Sequence, residues 1–345
     1  MKSGILKNVN ELVVETRPDP SEEEDTIIIR VQVCSICASD LNTFRHGHPR
    51  VKFPQTLGHE ISGEVVTAVD GATGLRTGDR VTVCPSIFCG KCFYCLGKEY
   101  THCVNCRTLG YELPGGFATH LIIPLTGMQP SMLIRIPDNL GYEEASLAEP
   151  LSCCLRAQKA SRVGEGDVVV VIGGGPIGIM HCRLARINGA KKVILIQRDL
   201  KRLQGVRLDS LDDIIDSTET DPVDKIFRLT DKRGADVVIV ACSSVEAQTQ
   251  STHLAGQGGR INFFGRLNQG QSKLVIDSNA IHYREISIQG TRGSTPQDCR
   301  AALEILASKI LVVGDLITHT FPVDSIQKAF LFAESKKGMH VAICP

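Results

Sequence analysis

The run Cys89-Gly90-Lys91-Cys92-Phe93-Tyr94-Cys95, closed by Cys103, constrains this chain more than any other feature. The spacing C-x2-C-x2-C-x7-C lets one short loop surround a single tetrahedral ion. Four thiolates suit Zn²⁺, and four protein ligands leave no position for substrate, so this site is structural. Gly90 and Gly97 are expected to let the loop turn tightly around the metal. The competing readings are two disulfides or buried free thiols, but cysteines two apart are hard to bridge without strain. Cys106 could replace Cys103 as fourth ligand; Cys103 is preferred.

A second constellation lies upstream. Cys37 sits in Cys34-Ser-Ile-Cys37-Ala-Ser39-Asp40, and Gly58-His59-Glu60-x-x-Gly63 follows. Thiolate, imidazole and carboxylate from separate segments form the ligand set of an open zinc site. Each residue alone carries little, since a lone cysteine usually packs in a core. The order strengthens them, with Gly78-Asp79-Arg80-Val81 and then the four-cysteine loop following.

An independent signal begins at Asp167. Val168 to Ile172 is an apolar, β-branched run of strand length. It leads into Gly173-Gly174-Gly175-Pro176-Ile177-Gly178 and then a helical stretch through Ala185. That is G-x-G-x-x-G in the strand–turn–helix context where backbone amides and a helix N-terminus receive a pyrophosphate. The next strand, Lys192 to Ile196, places Gln197 where an acidic residue would bind a ribose 2′-hydroxyl. Gln197, Arg198, Lys201 and Arg202 are there instead, which favours NADP over NAD; Asp199, two residues on, leaves NAD open.

Taken together, these motifs resemble the zinc-dependent medium-chain alcohol and polyol dehydrogenases over nearly the whole chain. Ala148-Glu149-Pro150-Leu151 resembles the Glu-Pro-Leu stretch of the polyol branch, similar to sorbitol dehydrogenase. The resemblance implies an α/β protein with a β-rich, GroES-like catalytic domain over 1–150, completed by 288–345. A doubly wound Rossmann cofactor domain over 151–287 would complete it. It further implies Cys37, His59 and Glu149 as catalytic zinc ligands, with Glu60 a direct or alternating ligand. Asp40 would orient His59, and Ser39 would open a proton relay. The family often has a histidine three residues beyond that hydroxyl; here the position holds Asn42, and His46 or water is the remaining candidate. Gly173, Gly175, Pro176, Ile177, Gly178, Gln197, Arg198, Arg202, Gly265, Thr291 and Arg292 would contact the cofactor.

The implied reaction is hydride transfer between NADP or NAD and a secondary alcohol of a polyol, sugar or sugar derivative. Two zinc ions per chain and a homo-oligomer, dimer or tetramer, are expected with it. Arg45-His46-Gly47-His48-Pro49-Arg50-Val51-Lys52 admits a phosphorylated substrate, though a solvated basic loop explains it equally well. The alternatives are a simple alcohol or aldehyde dehydrogenase, or a binding protein that has lost its chemistry. Lysine plus arginine and aspartate plus glutamate number 38 each, so no bulk charge favours nucleic acid. No apolar run reaches membrane-spanning length, and the start lacks a secretory segment. Fourteen cysteines, several read as thiolate ligands, fit the cytoplasm better than an oxidising compartment.

Helices are expected over Glu143 to Arg162, Asp298 to Ser308 and Ser325 to Ser335. Strands are expected over Thr26 to Val33, Glu60 to Val69, Ala235 to Ala241, Arg260 to Phe264 and His340 to Cys344. The stretch Leu203 to Ser217 is too acidic, and too poor in alanine, for a usual crossover helix.

Overall fold

A computed structural model describes residues 1–21, 26–67, 74–124, 132–268 and 270–345. The chain forms two compact units. One is Met1–Ser152 with Gly293–Pro345; the other is Cys153–Arg292.

The first unit is built around the strand Thr26–Ser35. Its Ile27, Ile28 and Ile29 are all buried, because both faces of the strand are covered. Among the described residues it is the centre of a seven-stranded sheet. It pairs antiparallel with Glu60–Thr67, His120–Pro124 and His340–Ile343. The sequence expectation carried the Glu60–Thr67 strand on to Val69; residues 68 and 69 lie outside the described ones. Side chains from this sheet close a core containing Phe44, Phe117 and Phe330. The register sets up the chemistry: Ser35 lies opposite Glu60 on one side and Ala342 on the other. Cys37 leaves the end of the central strand as N-cap of the helix Ala38–His46, so three distant segments converge there.

Two glycines make the close approach possible. Gly58 has φ +96°, and a Cβ on it would sit 2.7 Å from Cys34 Sγ. A Cβ on Gly63 would meet the Arg30 carbonyl oxygen at 2.4 Å. No larger residue fits either position without moving a neighbour.

The second unit carries, among the described residues, a six-stranded sheet. Its order across the sheet is Asp213–Asp216, Lys192–Gln197, Val168–Ile172, Ala235–Val240, Ala255–Phe263 and Ser287–Gly290. All five pairings are parallel. The centre strand Val168–Ile172 is buried throughout, as a parallel strand covered on both faces must be. The sixth strand, Ser287–Gly290, belongs to this unit, so the unit ends at Arg292 rather than near 287.

Several elements differ from the sequence reading. The long helix expected over Glu143 to Arg162 is two, Tyr142–Ser146 and Ala148–Ala160, with Leu147 capping the first. The strand expected to begin at Arg260 begins at Ala255, where three glycines hide the pattern. Between Lys192–Gln197 and Asp213–Asp216 there is a single 3-10 turn, Leu200–Leu203. Leu203 and Val206 are the apolar side chains of that crossover that are buried, which leaves no need for an alanine-rich face.

Candidate active site and cofactor loop

Cys37, His59 and Glu60 each offer a ligand atom, and these atoms lie within 4.8 Å of one another. His59 and Glu60 are buried at 7% and 1% exposure, and Cys37 is half-buried. Asp40 supports the cluster from the first turn of Ala38–His46. Its Oδ2 accepts from the Cys37 backbone N–H at 3.0 Å. Its Oδ1 lies 3.5 Å from His59 Nδ1, an ion-pair distance at which no hydrogen bond forms. His59 Nδ1 is therefore buried with no hydrogen-bond partner. Ser39 Oγ stands 3.4 Å from the other ring nitrogen, Nε2.

Each charge in the cluster is set by its neighbours. Burial opposes a charge on His59, but Asp40 and Cys37 outweigh it and hold the imidazole well above the usual histidine range. Burial and the Glu60 carboxylate push the Cys37 thiol up. Burial also works against a charged Glu60, yet His340 and then His59 bring it below the usual carboxylate range. A cation placed among these groups would take over the role of the His59 proton.

Two neighbours are absent from the sequence reading. His340 Nε2 lies 2.8 Å from Glu60 Oε2, both buried. The pair is 280 residues apart in the chain, and no local motif marks it. Tyr111 sets its ring 5.8 Å from that of His59. Glu149 opens the helix Ala148–Ala160 and is half-buried, its charge bearing on the buried thiol of Cys84. It lies outside the group of three within 4.8 Å. His46 is exposed. Arg45 is paired with Glu334, and Arg50 with Glu112 at 2.5 Å.

The four thiols of Cys89, Cys92, Cys95 and Cys103 form a second group within 4.8 Å of one another. Cys106 is outside it and faces Thr108 Oγ1 at 3.9 Å. Cys92 begins the short helix Phe93–Leu96, and backbone N–H groups, chiefly that of Cys95, lower its thiol to about 6. Burial pushes Cys95 up to about 12. Four sulfurs this close together would repel one another as thiolates, a repulsion that a cation would relieve. Gly90 has the left-handed φ of +71°, as expected. Gly97 does not: its φ is −79°, and Lys98 at φ 62° makes the second turn. Among the described residues the fourteen cysteines form no disulfide.

In the second unit, the glycine loop has the geometry its sequence demands. Gly173 has φ +106°, and a Cβ on Gly178 would sit 1.8 Å from the Gly173 carbonyl oxygen. Gly175 caps the helix Pro176–Ile187, and a Cβ there would stand 3.7 Å from the Arg202 guanidinium. Arg202 Nε is buried without a hydrogen-bond partner. Burial lowers that guanidinium from its ordinary value, with Asp199 offsetting part of the effect. Gln197 is already engaged, accepting from Gly174 N at 2.8 Å and donating to the Asp199 carbonyl at 3.0 Å. Arg198 is exposed. Gly265 N donates to Val240 O at 2.8 Å, Thr291 Oγ1 donates to Asn262 Oδ1 at 3.0 Å, and the Arg292 carbonyl accepts from Arg156.

Comparison with known proteins agrees with this geometry. Residues 23–138 match the alcohol dehydrogenase GroES-like domain, and residues 176–308 match the zinc-binding dehydrogenase domain. A sorbitol dehydrogenase of Halalkalibacterium halodurans is 32% identical, covering 96% of this chain and 95% of its own. The chain belongs to the zinc-dependent medium-chain dehydrogenase family. A D-arabitol-phosphate dehydrogenase of Enterococcus avium is a 30% identical relative, covering 90% of this chain and 87% of its own. Among solved structures, one described as a zinc-binding dehydrogenase of Sinorhizobium meliloti bound to NADP has a TM-score of 0.88 at 29% identity. It covers 100% of this chain and 99% of its own. This medium-chain dehydrogenase therefore joins a GroES-like domain to a Rossmann-type domain. Among the described residues, no helix is long and apolar enough to cross a membrane.

Proposed function

We propose that this dehydrogenase moves hydride between NADP(H) and a secondary alcohol of a polyol, sugar or sugar derivative, with NAD(H) as the weaker cofactor. The observation that carries the reading is the mixed Cys37–His59–Glu60 cluster. Three protein donors of unlike type leave a position for a substrate oxygen, whereas the four-thiol group leaves none. The donor set of thiolate, imidazole and carboxylate fits zinc.

Bound zinc supplies Lewis acidity at the alcohol oxygen, and the bound nicotinamide takes the hydride. The chain's residues do the rest. Cys37 and His59 hold the ion with one carboxylate at a time, Glu149 or the alternating Glu60, which keeps a position open. Asp40 fixes the Cys37 backbone and faces His59, which limits the ring's orientation. Ser39 Oγ is the hydroxyl placed to receive the alcohol proton. Cys89, Cys92, Cys95 and Cys103 hold the structural ion.

Gly173, Gly175, Pro176, Ile177 and Gly178 receive the pyrophosphate, with Gly265, Thr291 and Arg292 as further contacts. Arg202 and Arg198 favour a 2′-phosphate, since Gln197 offers no carboxylate to repel one. The sorbitol and arabitol-phosphate relatives support a polyol substrate. Arg45 and Arg50 already bind carboxylates, which favours polyols without phosphate. We further take the enzyme to be a cytoplasmic homo-oligomer, on the strength of the family resemblance and of cysteines gathered into two metal-binding groups.

The test is a panel of polyols, sugar acids, sugar phosphates and simple alcohols, each with NAD⁺ and NADP⁺, followed by nicotinamide absorbance. Polyol turnover preferring NADP⁺ is expected. Turnover of simple alcohols alone would replace the polyol reading, and a strong NAD⁺ preference would reject the cofactor reading.

A further inference from the structure

Arg50 belongs to a cationic stretch that the proposed reaction does not use, and its surroundings assign it other work. Its Nε and Nη2 form a fork on Glu112, at 2.5 Å to Oε1 and 2.8 Å to Oε2. Nη2 also reaches Thr108 Oγ1 at 2.8 Å and the Cys106 carbonyl at 3.5 Å. Glu112 in turn accepts from the Thr108 backbone N–H at 3.0 Å. The guanidinium lies 5.4 Å from the Tyr111 ring centroid, over its face.

Tyr111 is thus held from several sides. Its N–H bonds the Thr108 carbonyl at 3.1 Å, and its own carbonyl accepts from Gln55 Nε2 at 2.8 Å. The His48 ring meets it edge-on at 5.0 Å, and the His59 ring lies beyond at 5.8 Å. An ion pair whose side chains remain about a third exposed adds little net stability. A bidentate fork instead fixes geometry, and the aromatic face it covers is fixed with it.

We infer that Arg50 and Glu112 are positioning residues that hold Tyr111 as the wall orienting substrate beside Cys37, His59 and Glu60. Tyr111 is then a specificity-determining residue. The inference rests on the polyol reading above and says where that site sets its preference. Because the Arg50 charge is spent on Glu112, the segment supplies a wall rather than a phosphate site.

The test compares full-length, zinc-loaded Tyr111→Ala, Tyr111→Phe, Arg50→Ala, Glu112→Gln and the Arg50→Ala/Tyr111→Ala double variant. KM and kcat are read for polyols and for a sugar phosphate, with zinc content measured on each. Tyr111→Ala should raise polyol KM by about tenfold or more, the scale of losing one pocket contact, while kcat falls less. Tyr111→Phe keeps the ring but loses the hydroxyl's hydrogen bond to Ser39, so its polyol KM should stay closer to the parent than that of Tyr111→Ala while its kcat falls. Arg50→Ala and Glu112→Gln should each raise KM, and the double variant should be no worse than Tyr111→Ala, because clamp and wall act as one unit. Zinc content should not change.

A second arm needs no turnover. Co²⁺ is placed in the Cys37–His59–Glu60 site, and imidazole is titrated through the visible spectrum. Tyr111→Ala should shift the imidazole Kd by about threefold or more, the loss expected for a removed wall contact. An unchanged Kd would overturn the inference even if polyols proved not to be substrates, a result that would count against the proposed function alone. Additive losses in the double variant, or an Arg50→Ala effect confined to the sugar phosphate, would overturn it as well.

Discussion

His181 provides a quantitative test of the cofactor unit. It lies on Pro176–Ile187, the helix that follows the glycine loop, and has 0% exposure. Gln158 Nε2 is 3.4 Å from its Nδ1, the Phe264 ring is edge-on at 4.8 Å, and Nε2 has no hydrogen-bond partner. Burial lowers its pKa from 6.5 to about 3. The folded state thus keeps the imidazole neutral where the unfolded chain binds a proton. The stability it contributes is complete above pH 6.5 and is lost as pH falls from 6.5 towards 3. At pH 5 the deficit is 1.5 units below the unfolded value of 6.5, or about 2 kcal/mol. For a unit of this size that is a fall in Tm of roughly 4–8 °C. Urea or thermal unfolding at pH 7.5 and pH 5.0, for the parent and His181→Leu, isolates the term, because every other titrating group is common to both. The variant should lose less stability on acidification, by that amount. Equal acid losses in both proteins would show that His181 is not held neutral, and the reasoning from burial would fail.

Three further outcomes follow from the sites. Metal analysis should find two zinc ions per chain. Brief chelation should remove the one at the open cluster and abolish turnover with the fold retained, while Cys92→Ser should chiefly lower Tm. Arg198→Ala should weaken NADP⁺ binding by about tenfold or more, since only that cofactor has a 2′-phosphate to lose a charge-assisted hydrogen bond, and should leave NAD⁺ nearly unchanged in a fluorescence titration. Glu149→Gln should lower zinc content and turnover together with cofactor affinity intact; full zinc occupancy with normal turnover would remove Glu149 from the ligand set and weaken the polyol assignment.

The grouping of four thiols was readable because all of them fall between Cys89 and Cys103, so spacing alone fixes how far apart the sulfurs can be. The cofactor loop was readable for a similar reason. A buried β-branched strand, a left-handed Gly173 and a Gly178 with no room for a Cβ are local requirements that few sequences meet. The crossover after Gln197 could be doubted from sequence but not drawn, since one 3-10 turn held by Leu203 and Val206 has no periodicity to detect. Gly97 was misread because its neighbour Lys98 adopts the left-handed turn instead.

What the sequence determined by itself, then, is every feature whose physics is completed within one turn, one strand or one short loop. Tertiary structure alone decided which remote groups meet. Strand register, Ser35 against Glu60 and Ala342, brings Cys37, Glu60 and His340 to one place. Packing of the Thr108–Glu112 turn against Arg50 carries Tyr111 to His59. A contact between residues 280 positions apart leaves no pattern along the chain, because it is created by sheet pairing and not by local spacing.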